Sequence, residues 1–353
     1  MLGCFFNSLK TPSESQKRDE NLLEETYLLA NGVKIPKIGF GTWMIADNAA
    51  AAMAVHEAID TGYRHIDTAE AYGNEVGVGE GVRAAGIARQ DIFVNTKLAA
   101  EIKEHDAAVK AIDESLQKLN LDYIDMMIIH APKPWAKYDE PDRYFEGNLE
   151  AWRALEEAYK AGKLRAIGVS NFDPTDLKNL LDHAEIAPMV DQVLAHITQT
   201  PFKTIDFAKQ HHILFEAYSP FGHGEMFKNQ AIQQMAEKYH VSVAQLGMRY
   251  LLQLGLLPLP KTVKPEHMKA NAEVDFEINE TDMSTLEHMK PLTDYGQYQS
   301  FPVYNDRLSW GQGIDCVQTN KRERQWVALF CWSTLDAYPN SCEVLNLSLI
   351  HIS

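Results

Sequence analysis

Between residues 38 and 260 the chain repeats one pattern, a short unbroken apolar run followed by a longer stretch whose apolar residues recur at helical spacing. Eight such runs occur: IGFGTW (38–43), HIDT (65–68), IFVNTK (92–97), MMIIH (126–130), AIGVSN (166–171), MVDQV (189–193), LFEAYS (214–219) and LLPLP (256–260). Continuous rather than alternating apolar runs mark strands covered on both faces, and a spacing of roughly 20–40 residues leaves room for a crossover helix between parallel neighbours. Eight strand-helix units predict an α/β fold closed as a (β/α)8 TIM barrel. Helix punctuation agrees: Asp173 and Pro174 open TDLKNLLDHA as a cap and a first-turn proline, and Gly162 stops LEEAYKA. An open doubly wound sheet is the weaker alternative. It would carry a Gly-rich phosphate loop after the first strand, and IGFGTWMIADN has no G-x-G-x-x-G.

Ahead of the barrel, TYLLANGVKIP holds Asn31-Gly32 between short apolar stretches, a pair suited to the positive φ angles of a type I′ turn, so an N-terminal β-hairpin is expected. Residues 1–25 show no sustained apolar period and read as a flexible leader. The barrel is expected over 26–305. Residues 306–353 carry a basic cluster and Cys316, Cys331 and Cys342 with no further strand-helix unit. They read as an unmatched tail outside the catalytic fold, either docked or a non-native, frame-shifted ending.

Composition narrows the class of function. With 353 residues, 45% hydrophobic, the chain can bury a barrel-sized core. A formal net charge of −16 opposes binding to nucleic acid or an anionic membrane. No uncharged apolar run reaches the roughly 20 residues that span a bilayer, so a cytoplasmic enzyme is expected. The only other cysteine is Cys4, there is no C-x-x-C pair, and the histidines show no H-E-x-x-H, so neither a disulfide scaffold nor a metal site is expected.

In a barrel of this kind the strand C-terminal ends converge on one mouth, so polar groups just after an apolar run are the ones that could react. Asp67 follows HI, Tyr72 lies five residues on in DTAEAYGNE, Lys97 ends IFVNTK and His130 ends MMIIH. Singly, each has an ordinary reading as a cap, a rim phenol, a surface amine or a core imidazole. Together DTAEAYGNE, NTK and IIH match the catalytic tetrad motifs of the aldo-keto reductase family. From about Tyr27 to Tyr304, through IGFGTW, GKLRAIGVSNF, EAYSPFG and LPKTVKPEHMKAN, the chain resembles that family, in particular its bacterial-type 2,5-diketo-D-gluconate and glyoxal reductases.

The resemblance implies an NADP(H)-dependent oxidoreductase acting on CH-OH groups, an aldehyde reductase that turns small aldehydes or ketones into alcohols. Hydride would come from the reduced nicotinamide and the proton from Tyr72, made more labile by the Lys97 ammonium that Asp67 holds, while His130 orients the carbonyl. It further implies that Ser170, Asn171 and Gln192 hold the nicotinamide amide and that Tyr218 stacks on its ring. Ser219 and Pro220 would continue the groove, Lys261, Thr262 and Val263 would meet the phosphate on the adenosine ribose, and Asn271 the adenine. Two positions depart from the family pattern. His267 stands where arginine is frequent, and an imidazole grips phosphate less firmly, so NADPH is the expected cofactor with measurable use of NADH. Ala131 stands where Trp commonly follows the histidine, leaving Trp135 and Trp43 as the expected walls of a wider substrate pocket. The usual C-terminal substrate loop is expected to be replaced by the tail. The implied partner is a small carbonyl compound and the implied state a monomer. Competing readings are a cofactor-binding sensor with little turnover, the same site run toward alcohol oxidation, and a phosphate-binding barrel without redox chemistry.

Overall fold

A computed structural model describes residues 21–304, which lie within one compact unit, Met1–Trp310. The leader up to residue 20 and the tail from 305 onward fall outside the described residues. The first described residues already form structure. Leu22–Glu24 form a 3-10 turn capped by the Asn21 side chain, and Leu23 packs into the core. Lys37 N donates to Glu25 O at 3.0 Å, tying this turn to the chain just ahead of the barrel.

The hairpin is present, β1 (Thr26–Leu28) antiparallel to β2 (Lys34–Pro36), but its turn is not type I′. Gly32 N donates to Leu29 O, and within the turn only Gly32 takes a positive φ, of 84°. That is a three-residue loop with a left-handed glycine, since Asn31 can stay in the right-handed region once Gly32 absorbs the reversal. Tyr27 Oη donates to Leu256 O and Asn31 Nδ2 to Arg165 O, both near strand N-terminal ends, so the hairpin covers the barrel end opposite the mouth.

All eight expected strands form, in order: β3 (Phe40–Gly41), β4 (His65–Asp67), β5 (Phe93–Leu98), β6 (Ile124–Ile129), β7 (Leu164–Ser170), β8 (Val190–Leu194), β9 (Leu214–Tyr218) and β10 (Leu257–Leu259). Each pairs in parallel with the next. Closure comes from Gly39 N to Pro258 O at 3.1 Å and Gly41 N to Pro260 O at 3.0 Å. A side chain at Gly39 would put its Cβ 2.4 Å from Leu259 Cδ2 and 2.8 Å from His65 Nδ1, which is why this seam is glycine.

Among the described residues ten helices clothe the strands: α1 (Asn48–Thr61), α2 (Glu75–Ala84), α3 (His105–Leu119), α4 (Phe145–Lys160), α5 (Pro174–His183), α6 (Phe202–Gln210), α7 (Gln230–Lys238), α8 (Val243–Gln253), α9 (Pro265–Ala272) and α10 (Glu280–Glu287). Asp173 caps α5 reciprocally with Asp176, with Pro174 in the first turn, and Gly162 follows α4 at φ 77°. The core fills both strand faces on β5, β6 and β8, whose residues are all buried. That double burial explains their continuous apolar pattern. No helix among the described residues is long and apolar enough to cross a membrane.

Candidate active site

The four strand-end residues meet at the mouth. Asp67 is the last residue of β4, and its strand neighbour across the ladder is Asn95. Lys97 sits one position from the end of β5. His130 follows β6, its N–H bonded to Leu98 O at 3.0 Å, and Tyr72 closes a 3-10 turn, Glu70–Tyr72, after β4. Lys97 Nζ donates to Asp67 Oδ1 and Oδ2 at 2.7 and 2.8 Å and to Thr68 O at 2.8 Å, then reaches Tyr72 Oη at 3.4 Å. Both members of the ion pair are buried, Lys97 to 1% exposure. Asp67 Oδ2 also accepts from Asn95 Nδ2 at 2.6 Å and Gln192 Nε2 at 2.9 Å. A buried carboxyl group so completely surrounded by donors is held in one orientation and fixes the Lys97 amine in place.

Burial pushes the Tyr72 phenol well above its ordinary range, and the Asp67 charge adds to the rise. This reverses the expectation that Lys97 lowers it: the ammonium is shared with Asp67, and desolvation wins. Tyr72 therefore stays protonated through the neutral range. The His130 imidazole is pushed well below its ordinary value by burial and by the Lys97 charge, so it is neutral. Its Nδ1 is buried with no hydrogen-bond partner among the described residues, and its ring meets Tyr72 edge-on at 5.7 Å.

Above these groups opens a cavity of about 620 Å³. Ser170, Asn171, Gln192, Tyr218, Ser219, Pro220 and Lys261 all line it. Asn171 has φ 61°, a left-handed conformation that asparagine tolerates, and this turns its amide inward. Nδ2 donates to His130 O and Ser170 Oγ, and Oδ1 accepts the Tyr218 hydroxyl at 2.8 Å, which pins the Tyr218 ring. Gln192 sends its amide nitrogen inward to Asp67 and to Glu216 Oε2 at 2.8 Å. Thr262, Val263, His267 and Asn271 are not brought into this cavity. They lie beyond Lys261 on the approach to α9 and on α9 itself, with Val263 and His267 exposed and Asn271 buried. Lys261 has its amine lowered by partial burial alone, with no carboxylate opposing the effect.

Trp43 and Trp135 both line the cavity. Trp135 meets His130 edge-on at 5.3 Å and stacks on Tyr138 at 5.5 Å. Ala131 does not widen the cavity: it is buried with Ala100 and Tyr138 behind Trp135. The roof was not expected from the sequence. Two short 3-10 helices, Gly296–Ser300 and Pro302–Tyr304, lie over the mouth, so residues ahead of the tail already cover the cavity there. Tyr295, Tyr298, Phe301 and Tyr304 recur every third residue, the repeat that places side chains on one face of a 3-10 turn. Phe301 meets Trp43 edge-on at 5.6 Å, Tyr298 stacks on His223 at 4.0 Å, and Tyr304 Oη lies 3.0 Å from Ser219 Oγ. His223 is held neutral by burial, at about 4. That period of three is the signal that would have found the roof.

Comparisons with known proteins agree with this geometry. The profile described as "Aldo/keto reductase family" matches residues 37–290. The chain is 40% identical over 266 residues to a glyoxal reductase of Bacillus subtilis, covering 75% of this chain and 92% of that one. It is 37% identical over 265 residues to a 9,11-endoperoxide prostaglandin H2 reductase of Trypanosoma cruzi, covering 74% and 90%. Among solved structures, a Bombyx mori aldo-keto reductase in complex with NADP superposes with a TM-score of 0.69 at 31% identity, over 79% of this chain and 98% of that one. With a closed eight-stranded barrel, a buried Asp-Lys pair under a tyrosine at its mouth and these relatives, the chain belongs to the aldo-keto reductase family.

Proposed function

We propose that residues 26–305 form an NADPH-dependent reductase of small aldehydes and ketones that also accepts NADH, acting as a cytoplasmic monomer on free small molecules. The observation that carries this reading is the protonated Tyr72 phenol held 3.4 Å from the Lys97 ammonium at the floor of a deep cavity.

The residues present fit a nicotinamide. The inward-facing amides of Asn171 and Gln192 sit beside the pinned Tyr218 ring, an arrangement matched to a flat ring bearing a carboxamide. Both donors of each amide are already used, so each would offer an oxygen lone pair to the nicotinamide NH2. Ser219, Pro220 and Lys261 continue from there toward α9, where Thr262, Val263, His267 and Asn271 would take the adenosine half. The bound cofactor supplies the hydride that reduces the carbonyl carbon. Tyr72 supplies the proton: its O–H is a poor acid until negative charge gathers on the carbonyl oxygen, and then it is the nearest donor. Lys97 stabilises the phenolate that remains, and Asp67 holds Lys97 on its far side. The neutral His130 polarises the same oxygen by donating one N–H.

The walls favour uncharged, apolar carbonyl compounds. Trp43, Trp135, Tyr298 and Phe301 line the cavity with both nearby histidines neutral, and among the described residues its only charged lining groups are Asp67 and Lys261. A carboxylate-bearing substrate would find no free cation beside the reactive phenol among those residues. The test follows the absorbance of NADPH, then NADH, with methylglyoxal, glyceraldehyde and an aromatic aldehyde. Turnover that disappears in Tyr72→Phe while cofactor binding persists is the expected result. Unchanged turnover in Tyr72→Phe removes Tyr72 as the acid, and NADH inert at millimolar levels refutes dual cofactor use.

A further inference from the structure

Beneath the four mouth residues the barrel interior holds a second polar layer. Glu216 on β9 stands directly across the ladder from Gln192 on β8, both fully buried and both pointing inward. Gln192 Nε2 has two hydrogens, one given to Asp67 Oδ2 at 2.9 Å and the other to Glu216 Oε2 at 2.8 Å. With both committed, the carboxamide cannot rotate about its last bond, and its oxygen is held on the cavity side. The far oxygen of Glu216, Oε1, has no hydrogen-bond partner among the described residues and lies 3.7 Å from His65 Nε2 on β4, which is likewise unpartnered.

Resting on the reductase reading above, we propose that Glu216 is a positioning residue that acts through Gln192, fixing the amide against which the cofactor's nicotinamide end is seated. The electrostatics of the layer say in which charge state it does so. Asp67 and Lys97 already balance one another, and an ionised Glu216 would leave one uncompensated negative charge in the barrel. Burial first, and then the Asp67 charge, push the Glu216 carboxyl up to about 8, against the smaller opposing pull of Gln192 and Lys97. His65 is held neutral, at about 4, chiefly by burial, so it offers no cation. From the remaining side β10 presents Leu257, an apolar residue. At neutral pH the carboxyl is therefore uncharged, and it ionises as the pH rises past about 8.

A charge gained there distinguishes the two cofactor forms. The oxidised nicotinamide ring is a cation and the reduced ring is neutral, so an anion behind Gln192 favours the oxidised form. Glu216 thus ties the relative affinity for oxidised and reduced cofactor to pH, and alkaline conditions tilt the enzyme toward alcohol oxidation.

The experiment measures dissociation constants for NADPH and NADP+ by quenching of tryptophan fluorescence at about pH 6.5 and about pH 9.5, either side of the Glu216 transition. Taking the ratio of the two constants cancels titration of groups near the cofactor phosphates, Lys261 included, because both forms carry the same phosphates. In the wild type the ratio should move toward NADP+ by roughly tenfold between the two pH values, the size expected for one partly screened charge. Glu216→Gln keeps an acceptor for Gln192 but cannot ionise, and its ratio should stay flat. Glu216→Leu removes the acceptor and should weaken NADPH binding at the lower pH by roughly threefold to tenfold, the loss of one neutral buried hydrogen bond. A Glu216→Gln protein that keeps the wild-type pH response overturns the inference, and this arm decides it even where Glu216→Leu does not fold. A folded Glu216→Leu protein that binds NADPH as tightly as wild type at the lower pH also overturns it. Failure of the wild type to bind either cofactor overturns the reductase reading along with it, whereas normal wild-type binding with indifferent variants overturns this inference alone.

Discussion

Replacing Lys97 by Met tests how far one buried charge drives the chemistry. The ammonium stands 3.4 Å from Tyr72 Oη, and a phenolate forming there would be attracted by about 5 kcal/mol at an effective dielectric of about 20. Two effects trim that figure. In the variant Asp67 loses its partner and tends to take up a proton, which relieves part of the repulsion it would otherwise exert on the phenolate. Some of the Lys97 charge is also spent on Asp67 in the wild type, at 2.7 and 2.8 Å. A fall in kcat of about 10²–10³ remains, equivalent to about 2.7–4 kcal/mol. Removing one partner of a buried pair also costs about 3–5 kcal/mol of stability, so Tm should drop by roughly 5–8 °C for a domain of this size. The assay is kcat at saturating cofactor and aldehyde well below the variant's Tm, with cofactor binding followed by fluorescence. Because Lys97 acts through Tyr72, the same substitution made in a Tyr72→Phe background should cost far less. A folded, cofactor-binding Lys97→Met enzyme whose kcat stays within about threefold of wild type would refute the reasoning.

Two further changes probe the ends of the cavity. Lys261 lines the groove on the side leading to α9, so Lys261→Ala should weaken NADPH by about tenfold and NADH much less, the size expected when one charge-assisted hydrogen bond to a phosphate is removed; equal losses for both cofactors would exclude a role at the ribose phosphate. Phe301 packs edge-on against Trp43 in the roof and is 46% exposed, so Phe301→Ala should leave the fold intact and raise KM for an aromatic aldehyde by roughly threefold to tenfold while changing methylglyoxal little. Equal KM values for the aromatic aldehyde in both proteins would remove the roof from substrate recognition.

The barrel was legible because its strands are buried on both faces. MMIIH and AIGVSN have no solvent side to alternate with, and the polar residue ending each run marks where the strand meets the mouth. The Asp67, Tyr72, Lys97 and His130 set was legible as motifs, though not the direction in which Tyr72 shifts, since that depends on how deeply its hydroxyl is buried and on how fully Asp67 claims the ammonium. The roof escaped notice because its aromatic residues follow a period of three, which fits neither the helical nor the strand pattern. Within the polar layer Gln192 was legible from the resemblance, whereas His65, Asn95 and Glu216 escaped for a different reason. Each sits within a run read as a buried strand, with nothing in its own segment to give it a partner, and only closure of the barrel brings the separate strands to one point.

These two missed features divide the labour of the site. The polar interior is built from inward positions on β4, β5, β8 and β9, where a changed side chain disturbs an ion pair and several buried hydrogen bonds at once, so it leaves little freedom for specialisation. The roof is built from short 3-10 turns and the turn after β9, where a ring can be exchanged without touching Asp67 or Lys97. Two relatives whose names point to different substrates, a glyoxal reductase and a prostaglandin H2 reductase, resemble this chain almost equally, at 40% and 37% identity. Overall identity therefore says little about which compound enters. On the reductase reading proposed above, the substrate is to be sought in what fits between Trp43, Trp135, Tyr298 and Phe301, because a ring there can be exchanged while the buried charge pair stays as it is.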